Sequence, residues 1–211
     1  MGDLSGARVP VTVVDYGAGN LVSIEQALVA AGADVRRAAD ASQIGDPALL
    51  VVPGVGASAP AMDRLRAGGF VPAILDWIAA DRPFLGICLG LQLLFERSDE
   101  DGAQTLGVLR GRTVRLEDAP TLPHIGWNQV ERVREHPAFN GIAPDADFYF
   151  VHSYAGAPVD RDVVLAETQH GARFTAAVAR GSLLGVQFHP ERSGDDGLRL
   201  VANVVRHAGA A

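Results

Sequence analysis

Several features that define whole classes of proteins are scarce or missing in this sequence. Its 211 residues contain one cysteine, so no disulfide can form within the chain, and this excludes the disulfide-rich secreted class. A lone cysteine cannot build a zinc cluster without histidines, and the six histidines show neither HxH nor HExxH spacing. We therefore expect no metal site.

Long apolar runs and basic runs are missing as well. No stretch approaches the ~18 apolar residues of a membrane span, and residues 1–7 lack the charged start and apolar core of a signal peptide. No run of basic residues exceeds two, and the formal net charge is −7, so we expect neither a nucleic-acid nor a membrane partner. This balance favours a cytoplasmic protein.

The composition is that of one globular domain. Hydrophobic residues make up 48% of the chain and charged residues 20%, which is ordinary for such a domain. The length suits a single domain with a substantial core. We predict a flexible leader over residues 1–8 and one domain over residues 9–208.

Apolar, β-branched runs alternate with helical patterns in the first half of the chain. The predicted strands are Val9–Val14, Val35–Ala38, Leu49–Val52 and Pro83–Cys88. The predicted helices are Leu21–Ala31 with Asn20 as its cap, Pro60–Ala67, Phe70–Ala80 and Leu89–Arg97. Such alternation predicts crossover helices and a parallel sheet.

The second half of the chain is rich in strands. The predicted strands are Val108–Leu116, Asn128–Val133, Asp147–Val151, Val163–Thr168, Thr175–Ala179 and Leu183–Phe188, and a final helix spans Asp196–His207. We therefore predict an α/β fold in one domain, with a central, mostly parallel sheet flanked by helices. A strand-rich antiparallel portion lies beside this sheet or extends it.

The single cysteine lies where a predicted strand turns into a helix. The segment Gly86-Ile87-Cys88-Leu89-Gly90 is the G-x-nucleophile-x-G pattern of a strand-to-helix elbow. Backbone N–H groups and the dipole of the following helix favour a thiolate there, and the Leu89 amide could donate to an oxyanion. The alternative is a small buried hydrophobe, since free cysteine is among the most buried residue types. Both interpretations stay open on this segment alone.

His189 lies at the end of the predicted strand Leu183–Phe188, which Pro190 terminates. A cysteine nucleophile needs an imidazole that takes its proton and later returns it. The imidazole in turn needs a partner that fixes its tautomer, and Glu191 can reach the same pocket if the segment is extended. The alternative is a loop histidine beside a solvated glutamate. The sequence cannot show that His189 meets Cys88.

A glycine-rich loop, P-G-V-G at 53–56, follows the predicted strand Leu49–Val52. Its two glycines permit unusual φ values and close approach of the backbone, so the loop could aim an amide at a developing negative charge. The alternative is a plain turn. Gly17 and Gly19 begin a dinucleotide fingerprint, but Val22 stands where the third glycine would be, so no nucleotide site is predicted.

These segments together resemble a known family. F-L-G-I-C-L-G-L-Q (84–92), G-V-Q-F-H-P-E (185–191) and the P-G-V-G loop are similar to class I, triad-type glutamine amidotransferases. Further motifs resemble the glutaminase subunits of imidazole glycerol phosphate synthase: D-Y-G-A-G-N (15–20), L-Q-L-L-F-E-R-S (91–98), P-H-I-G-W-N (123–128), F-V-H-S-Y (150–154), F-T-A-A-V (174–178) and F-H-P-E-R-S-G-D-D-G-L-R-L (188–200). The resemblance covers about residues 11–205 and implies a flavodoxin-like fold.

The resemblance implies a role for each matching residue. The catalytic residues would be the nucleophile Cys88, the general base and acid His189, and Glu191, which orients it. Backbone groups of the oxyanion hole would come from Gly54, Val55 and Leu89. The glutamine substrate would contact Gln92, His152, Ser153 and Tyr154. The partner-facing residues would be Pro123, Ile125 and Trp127. Ile125 departs from the family, where methionine is expected more often, but the two side chains are near in volume.

The resemblance also implies a reaction and a partner. L-Glutamine would be hydrolysed to L-glutamate and ammonia through a Cys88 thioester, without a metal or organic cofactor. The partner would be a (βα)₈-barrel cyclase that forms a heterodimer with this chain, receives the ammonia through an internal passage, and converts PRFAR to imidazole glycerol phosphate and AICAR in histidine biosynthesis. The glutaminase would be nearly silent until the cyclase binds its ligand. We expect the Gly54–Val55 peptide to be the switch, with its carbonyl in the oxyanion hole at rest.

Two rival interpretations compete with this one. The first is an amidotransferase subunit that serves anthranilate, carbamoyl phosphate or pyridoxal phosphate synthesis, against which the motifs at 123–128 and 150–154 count. The second is a non-catalytic binding or stress-response protein built on a similar elbow. The presence of Glu191 and Gln92 argues against it.

Overall fold

The computed structural model describes residues 8–19 and 21–210. The strands, in chain order, are β1 Val9–Val14, β2 Ala33–Ala38, β3 Leu49–Val52, β4 Phe84–Ile87, β5 Arg97–Ser98, β6 Gly111–Arg115, β7 His124–Gln129, β8 Glu131–Arg132, β9 Asp147–His152, β10 Tyr154–Pro158, β11 Val164–His170, β12 Ala172–Arg180 and β13 Leu183–Val186. The helices are α1 Leu21–Ala30, α2 Ser58–Ala67, α3 Phe70–Ala79, α4 Leu89–Gln92 and α5 Gly194–Ala208. The predicted leader and the predicted cap at Asn20 lie, apart from residue 8, outside the described residues.

Eight strands form the central sheet, in the order β2-β1-β3-β4-β13-β12-β11-β8. The pairings from β2 through β13 are parallel, and those from β13 to β8 are antiparallel. The five parallel strands therefore have the 2-1-3-4-5 order of a flavodoxin-like sheet. Two small sheets, β10-β6-β5 and β7-β9, complete the strand-rich portion. The predicted α/β fold, with an antiparallel extension of a parallel sheet, is confirmed.

Helices cover both faces of the central sheet. Helices α1 and α5 contribute Ile24, Leu28, Leu200 and Val201 to a core on one face. Helices α2 and α3 contribute Met62, Leu65, Phe70 and Ile74 to a second core on the other face. Because both faces are covered, β3 and β4 are buried along their whole length, as their continuous apolar sequences indicate. Within the described residues, no helix is long and apolar enough for a membrane span.

The predicted helix Leu89–Arg97 is wrong in its second half, because α4 ends at Gln92. In a longer helix, the carbonyls of residues 93–95 would accept hydrogen bonds from the next helical turn. Here they accept instead from the amides of Leu106, Leu109 and Gly107 at 2.8–2.9 Å. A segment more than ten residues away thus takes the place of the helical partners. Tertiary contacts override local helical spacing here.

Two strand predictions also need correction. The predicted strand Asn128–Val133 is split between β7 and β8, since the Val130 amide turns to the Ala146 carbonyl at 3.0 Å. The strand β10 was not predicted, because its sequence Y-A-G-A-P contains a glycine and a proline, which are depleted in strands. It pairs with β6, so the predicted strand Val108–Leu116 is correct only from Gly111 onward.

The parallel part of the sheet determines where a site can form. Strands β1, β3, β4 and β13 run in the same direction, so their carboxyl ends meet at one edge. Residues 15–19, 53–56, 88–90 and 187–191 follow these four strands directly. Ligands of open α/β sheets bind in the crevice outside the carboxyl ends of the strands.

Candidate active site

Cys88 occupies a strained turn between β4 and α4. Its backbone has φ 53° and ψ −107°, a conformation that costs a non-glycine residue on the order of 1–3 kcal/mol. The glycines on either side permit the turn. A Cβ on Gly90 would lie 1.8 Å from the Val52 carbonyl oxygen, and one on Gly86 would lie 2.7 Å from the Gly90 carbonyl oxygen. The spacing therefore has the steric cause expected of an elbow.

The strand pairing fixes the position of Cys88 further. Its amide donates to the Val186 carbonyl of β13 at 2.8 Å, and its side chain is buried with 5% of the residue exposed. The following helix α4 has four residues. A helix of one turn sums few peptide dipoles, so the dipole contributes less to a thiolate than the predicted longer helix would.

His189 and Glu191 follow β13 and are hydrogen-bonded to each other. The Nδ1 atom of His189 lies 2.8 Å from Oε1 of Glu191, and both side chains are buried. Two hydrogen bonds join the segment to β9: the His189 amide donates to the Tyr149 carbonyl at 2.9 Å, and the Tyr149 amide donates to the Ser193 hydroxyl at 2.9 Å. The Ser193 hydroxyl in turn donates to the His189 carbonyl at 2.6 Å. With Nδ1 bonded to a carboxylate, the other ring nitrogen is available for chemistry.

The His189 imidazole interacts electrostatically with Cys88. Burial lowers the pKa of His189, but the Cys88 sulfur and the Glu191 carboxylate outweigh it and raise the pKa to about 10. Among the described residues, no atom has hydrogen-bond geometry to Nε2, which is buried. The sulfur thus acts on the imidazole at short range. The arrangement favours the protonated form of His189.

The P-G-V-G loop after β3 lies against α4. The Leu89 amide, one predicted oxyanion donor, donates to the Gly54 carbonyl at 3.3 Å. The peptide whose amide was predicted as the other donor therefore presents its carbonyl instead. The Tyr16 hydroxyl donates to the Pro53 carbonyl at 2.9 Å and lies where a Cβ on Gly54 would be, 2.0 Å away. Burial and then the nearby Cys88 raise the pKa of Tyr16, which keeps its hydroxyl protonated.

A pocket of about 210 Å³ opens beside Cys88. Its lining includes all four residues predicted to bind substrate, together with Cys88, Pro123 and part of the glycine-rich loop: Val55, Gly56, Cys88, Gln92, Pro123, His152, Ser153 and Tyr154. Its volume lies below the roughly 300–1,000 Å³ of pockets for drug-sized ligands, so it suits a small substrate.

The pocket wall contains a polar network that starts at the sulfur. Nε2 of Gln187 donates to Sγ of Cys88 at 3.5 Å. Nε2 of Gln92 donates both to Oε1 of Gln187 at 3.0 Å and to the Tyr154 carbonyl at 2.7 Å. Nδ1 of His152 reaches the same carbonyl at 2.9 Å. The network joins α4, β13 and the turn between β9 and β10.

The network continues through histidines to β7. Nε2 of His152 lies 3.1 Å from Nδ1 of His124, whose ring stacks on that of His170 with centroids 4.1 Å apart. Burial lowers the pKa of His152 to about 3, although the hydrogen bond to Tyr154 acts in the opposite direction. Burial and then His170 lower the pKa of His124 to about 4. Both rings are therefore neutral near pH 7, and they support the pocket rather than exchange protons with the substrate.

The predicted partner-facing residues lie on β7 and just before it. Ile125 and Trp127 are 60% and 57% exposed and share one face of the strand, while His124 points inward. Pro123 is exposed and also lines the pocket. The Trp127 ring meets Tyr149 edge-on with centroids 6.2 Å apart. An apolar face therefore adjoins the pocket.

Sequence reasoning missed four residues of the site: Tyr16, Glu100, His170 and Gln187. Glu100 lines the pocket, and burial and then Asp101 raise the pKa of its carboxyl group. Gln187 gave a weak signal as a polar residue inside an apolar strand, and Tyr16 gave one as part of the D-Y-G-A-G-N motif. Glu100 and His170 had no such signal, because they reach the site through tertiary packing.

A larger cavity of about 860 Å³ lies elsewhere, between the small sheet of β6 and β10 and the edge of β11 and β12. Arginines and glutamates line much of it, and Cys88 does not. The smaller pocket is nevertheless the candidate active site, because its lining contains the reactive groups. Within the described residues, no group of three or more His, Cys, Asp or Glu side chains could hold a metal ion.

Comparison with known proteins agrees with this geometry. Residues 12–208 match the family model described as glutamine amidotransferase class-I. The imidazole glycerol phosphate synthase subunit HisH of Moorella thermoacetica is 45% identical over 206 residues, which are 96% of this chain and 98% of that protein. The HisH subunit of Dehalococcoides mccartyi is 42% identical over 200 residues, covering 94% and 97%. The chain belongs to the class-I glutamine amidotransferases and, within them, to the HisH family. The resemblance inferred from the motifs is confirmed.

Solved structures described as glutamine amidotransferases share the fold of this HisH-family chain. One of them has a TM-score of 0.74 at 20% identity, with 95% of this chain and 100% of that chain covered. A glutamine amidotransferase from Thermotoga maritima has a TM-score of 0.64 at 18% identity, covering 88% and 77%. At these identities the likeness shows the fold alone.

Proposed function

We propose that this chain is the glutaminase subunit of imidazole glycerol phosphate synthase, which hydrolyses L-glutamine to L-glutamate and ammonia in histidine biosynthesis. The observation that carries the proposal is the juxtaposition of Cys88, in a strained elbow, with a His189–Glu191 pair bonded at 2.8 Å. HisH relatives at 42–46% identity over nearly the whole chain support this assignment over the other amidotransferases considered from the sequence.

The proposed chemistry uses only groups of this chain, glutamine and water. The Cys88 sulfur attacks the carboxamide carbon, and the carbonyl oxygen becomes an oxyanion. As the C–N bond breaks, the Nε2 proton of His189 passes to the leaving nitrogen, which departs as ammonia and leaves a thioester. Water then loses a proton to His189 and attacks the thioester, which releases glutamate and restores the thiolate. Glu191 holds the ring and stabilises its charged form.

The oxyanion loop is proposed to be inactive at rest. The Gly54 carbonyl accepts from the Leu89 amide, so this donor is not available to an oxyanion. Rotation of the Gly54–Val55 peptide would withdraw the carbonyl and present the Val55 amide instead. Each oxyanion donor is typically worth about 3–4 kcal/mol of barrier, so the two orientations would differ in rate by a factor of hundreds or more.

The cyclase is proposed to bind the apolar face of β7. Ile125 and Trp127 are large, exposed and adjacent to the pocket through Pro123. Aromatic side chains of this kind commonly anchor protein interfaces. Free ammonia is mostly protonated in water at neutral pH and is then not nucleophilic. A docked (βα)₈ barrel that receives it directly would convert PRFAR to imidazole glycerol phosphate and AICAR.

Glu100 is proposed to bind the α-ammonium group of glutamine, because it is a carboxylate residue that lines the same pocket as Cys88, which must meet the other end of the substrate. Glu100→Gln keeps the size of the side chain and removes its charge. We expect KM for glutamine to rise about tenfold or more, with kcat changed less than about threefold. Glu135→Gln, the same substitution at a glutamate whose side chain is 86% exposed and does not line the pocket, is the matched control. An unchanged KM in Glu100→Gln would contradict the assignment.

The experiment that tests the whole proposal is co-purification with the cyclase, followed by assay of glutamate release. The complex should release glutamate from glutamine, and adding the nucleotide ligand of the cyclase should increase the rate about a hundredfold or more. The variant Trp127→Ala should weaken co-purification. If saturating glutamine yields no glutamate, with or without cyclase and ligand, the chain is not a glutaminase subunit.

A further inference from the structure

Gln187 is a buried polar residue for which the proposed mechanism has no use. It follows β13 directly, and none of its surface is exposed. Its backbone amide donates to the Ala176 carbonyl of β12 at 2.8 Å and so continues the pairing of β13 with β12. Burying an amide side chain is costly unless its polar atoms find partners. Both ends of this amide have partners, and one of them is the sulfur of Cys88.

The direction of every hydrogen bond in this part of the site is fixed by one backbone carbonyl. The Tyr154 carbonyl can only accept, so the group of Gln92 that faces it at 2.7 Å must be the amino group. The same amino group lies 3.0 Å from Gln187, which must therefore present its oxygen. Turning the Gln187 amide over would bring two amino groups face to face. The amino group of Gln187 is left pointing at Sγ.

A buried thiolate needs donors or positive charge around it. The His189 imidazole, whose charged form the Cys88 sulfur favours, supplies positive charge on one side. Helix α4 is a single turn, so its dipole adds little. The Gln187 amino group, at 3.5 Å, is the side-chain donor that has hydrogen-bond geometry to Sγ among the described residues.

We propose that Gln187 is a further catalytic residue, which donates a hydrogen bond to the Cys88 thiolate and holds the sulfur at the pocket. Gln92, which also lines the pocket, keeps Gln187 in the donating orientation through its amino group. The part of the inference that concerns catalysis on glutamine rests on the proposed function. The part that concerns the sulfur does not.

The test measures how fast the full-length chain is alkylated by iodoacetamide between pH 5 and pH 9, without glutamine. Since Cys88 is the one cysteine in the sequence, the alkylation rate reports on it alone. Gln187→Met keeps the length of the side chain and removes the donor. We expect its rate at pH 7 to fall about tenfold and its pH profile to move up by about one unit, with rates at pH 9 within about threefold of wild type.

Gln187→Glu is the second variant, and it keeps the test decisive if the Gln187→Met variant does not fold. Its carboxylate can still accept from Gln92 but repels a thiolate, so we expect at least the same shift. Thr12→Val is the matched control for loss of one buried donor, because the Thr12 hydroxyl donates to the Ile44 carbonyl at 2.9 Å on a core strand away from the sulfur. Its alkylation profile should match that of wild type.

Two outcomes separate this inference from the proposed function. If Gln187→Met and Gln187→Glu fold but keep the wild-type pH profile, Gln187 only fills space and the inference is wrong. If the profiles shift while wild-type chain and cyclase release no glutamate, the inference about the sulfur stands and the glutaminase assignment fails.

Discussion

Replacing Cys88 by alanine is expected to lower glutamate release by at least about a thousandfold, to the limit of detection. Without the sulfur no thioester can form, and water has no activated position in the elbow. His189→Gln should produce a loss of the same order, because the ring takes part in both halves of the reaction. The measurement is glutamate release by the complex with cyclase and its nucleotide ligand.

The control for Cys88→Ala lies in the second half of the reaction. Ammonia added from outside bypasses the glutaminase, so the complex with Cys88→Ala should still form imidazole glycerol phosphate from PRFAR at the wild-type rate. That result would show that the cyclase is active in the assay, and co-purification of the Cys88→Ala chain with the cyclase would show that the variant folds and docks. A Cys88→Ala complex that still hydrolyses glutamine would contradict the role of Cys88.

The strained elbow that carries the proposed nucleophile could be predicted from the sequence because its requirements are local. Gly86 and Gly90 stand two residues from Cys88, and any side chain there would collide with backbone atoms of the turn or of β3. A pattern of five residues therefore encodes the elbow. The proposed roles of His189 and Glu191 could be reached in the same way, since the two residues lie two positions apart. The expected extended segment is wrong, however, because Pro190–Arg192 form a 3₁₀ turn that still brings the two side chains together.

The buried parallel strands were also readable from the sequence. β1 and β3 have the predicted ends, Val9–Val14 and Leu49–Val52, because strands covered on both faces are continuous apolar runs. The antiparallel strands were predicted less accurately. In β7 only one face is buried, and β10 contains residues that strands rarely use.

What the sequence could not reveal depends on contacts between distant segments. The helix after Cys88 ends at Gln92 because amides within residues 106–109 donate hydrogen bonds to the carbonyls that would continue it. Gln187 sits within an apolar run, and its role becomes visible only when Gln92 and Tyr154 are placed beside it. Periodicity predicts which face of an element is buried, but it carries no information about which polar atoms will meet there.

The second prediction with a large expected effect concerns Gly54 in the glycine-rich loop. Gly54→Ala places a methyl group 2.0 Å from the Tyr16 hydroxyl, so the loop must move. We expect the free energy of unfolding to fall by about 1–3 kcal/mol and glutamate release in the activated complex to fall about a hundredfold or more. The measurements are denaturant unfolding of the isolated chain and the glutaminase assay with cyclase and ligand.

Tyr16→Phe separates the two effects of that methyl group. Alone it removes one hydrogen bond to the Pro53 carbonyl and should cost about 1 kcal/mol of stability. In the double variant, the missing hydroxyl leaves the methyl group 3.2 Å from the Leu89 Cβ and 3.3 Å from the ring, which is tight but tolerable. Stability should therefore return to near that of Tyr16→Phe alone, as a coupling between neighbours.

Activity should not return with stability. In the double variant the methyl group still lies 3.2 Å from the Leu89 Cβ, closer than an ordinary contact, so it obstructs rotation of the peptide between residues 54 and 55 beside the Leu89 amide. The double variant should thus fold like Tyr16→Phe and still lack activation by the cyclase. If its activation returned to the Tyr16→Phe level, the Gly54 carbonyl would not need to leave the Leu89 amide by rotation, and the loop would be a fixed wall of the pocket rather than a switch.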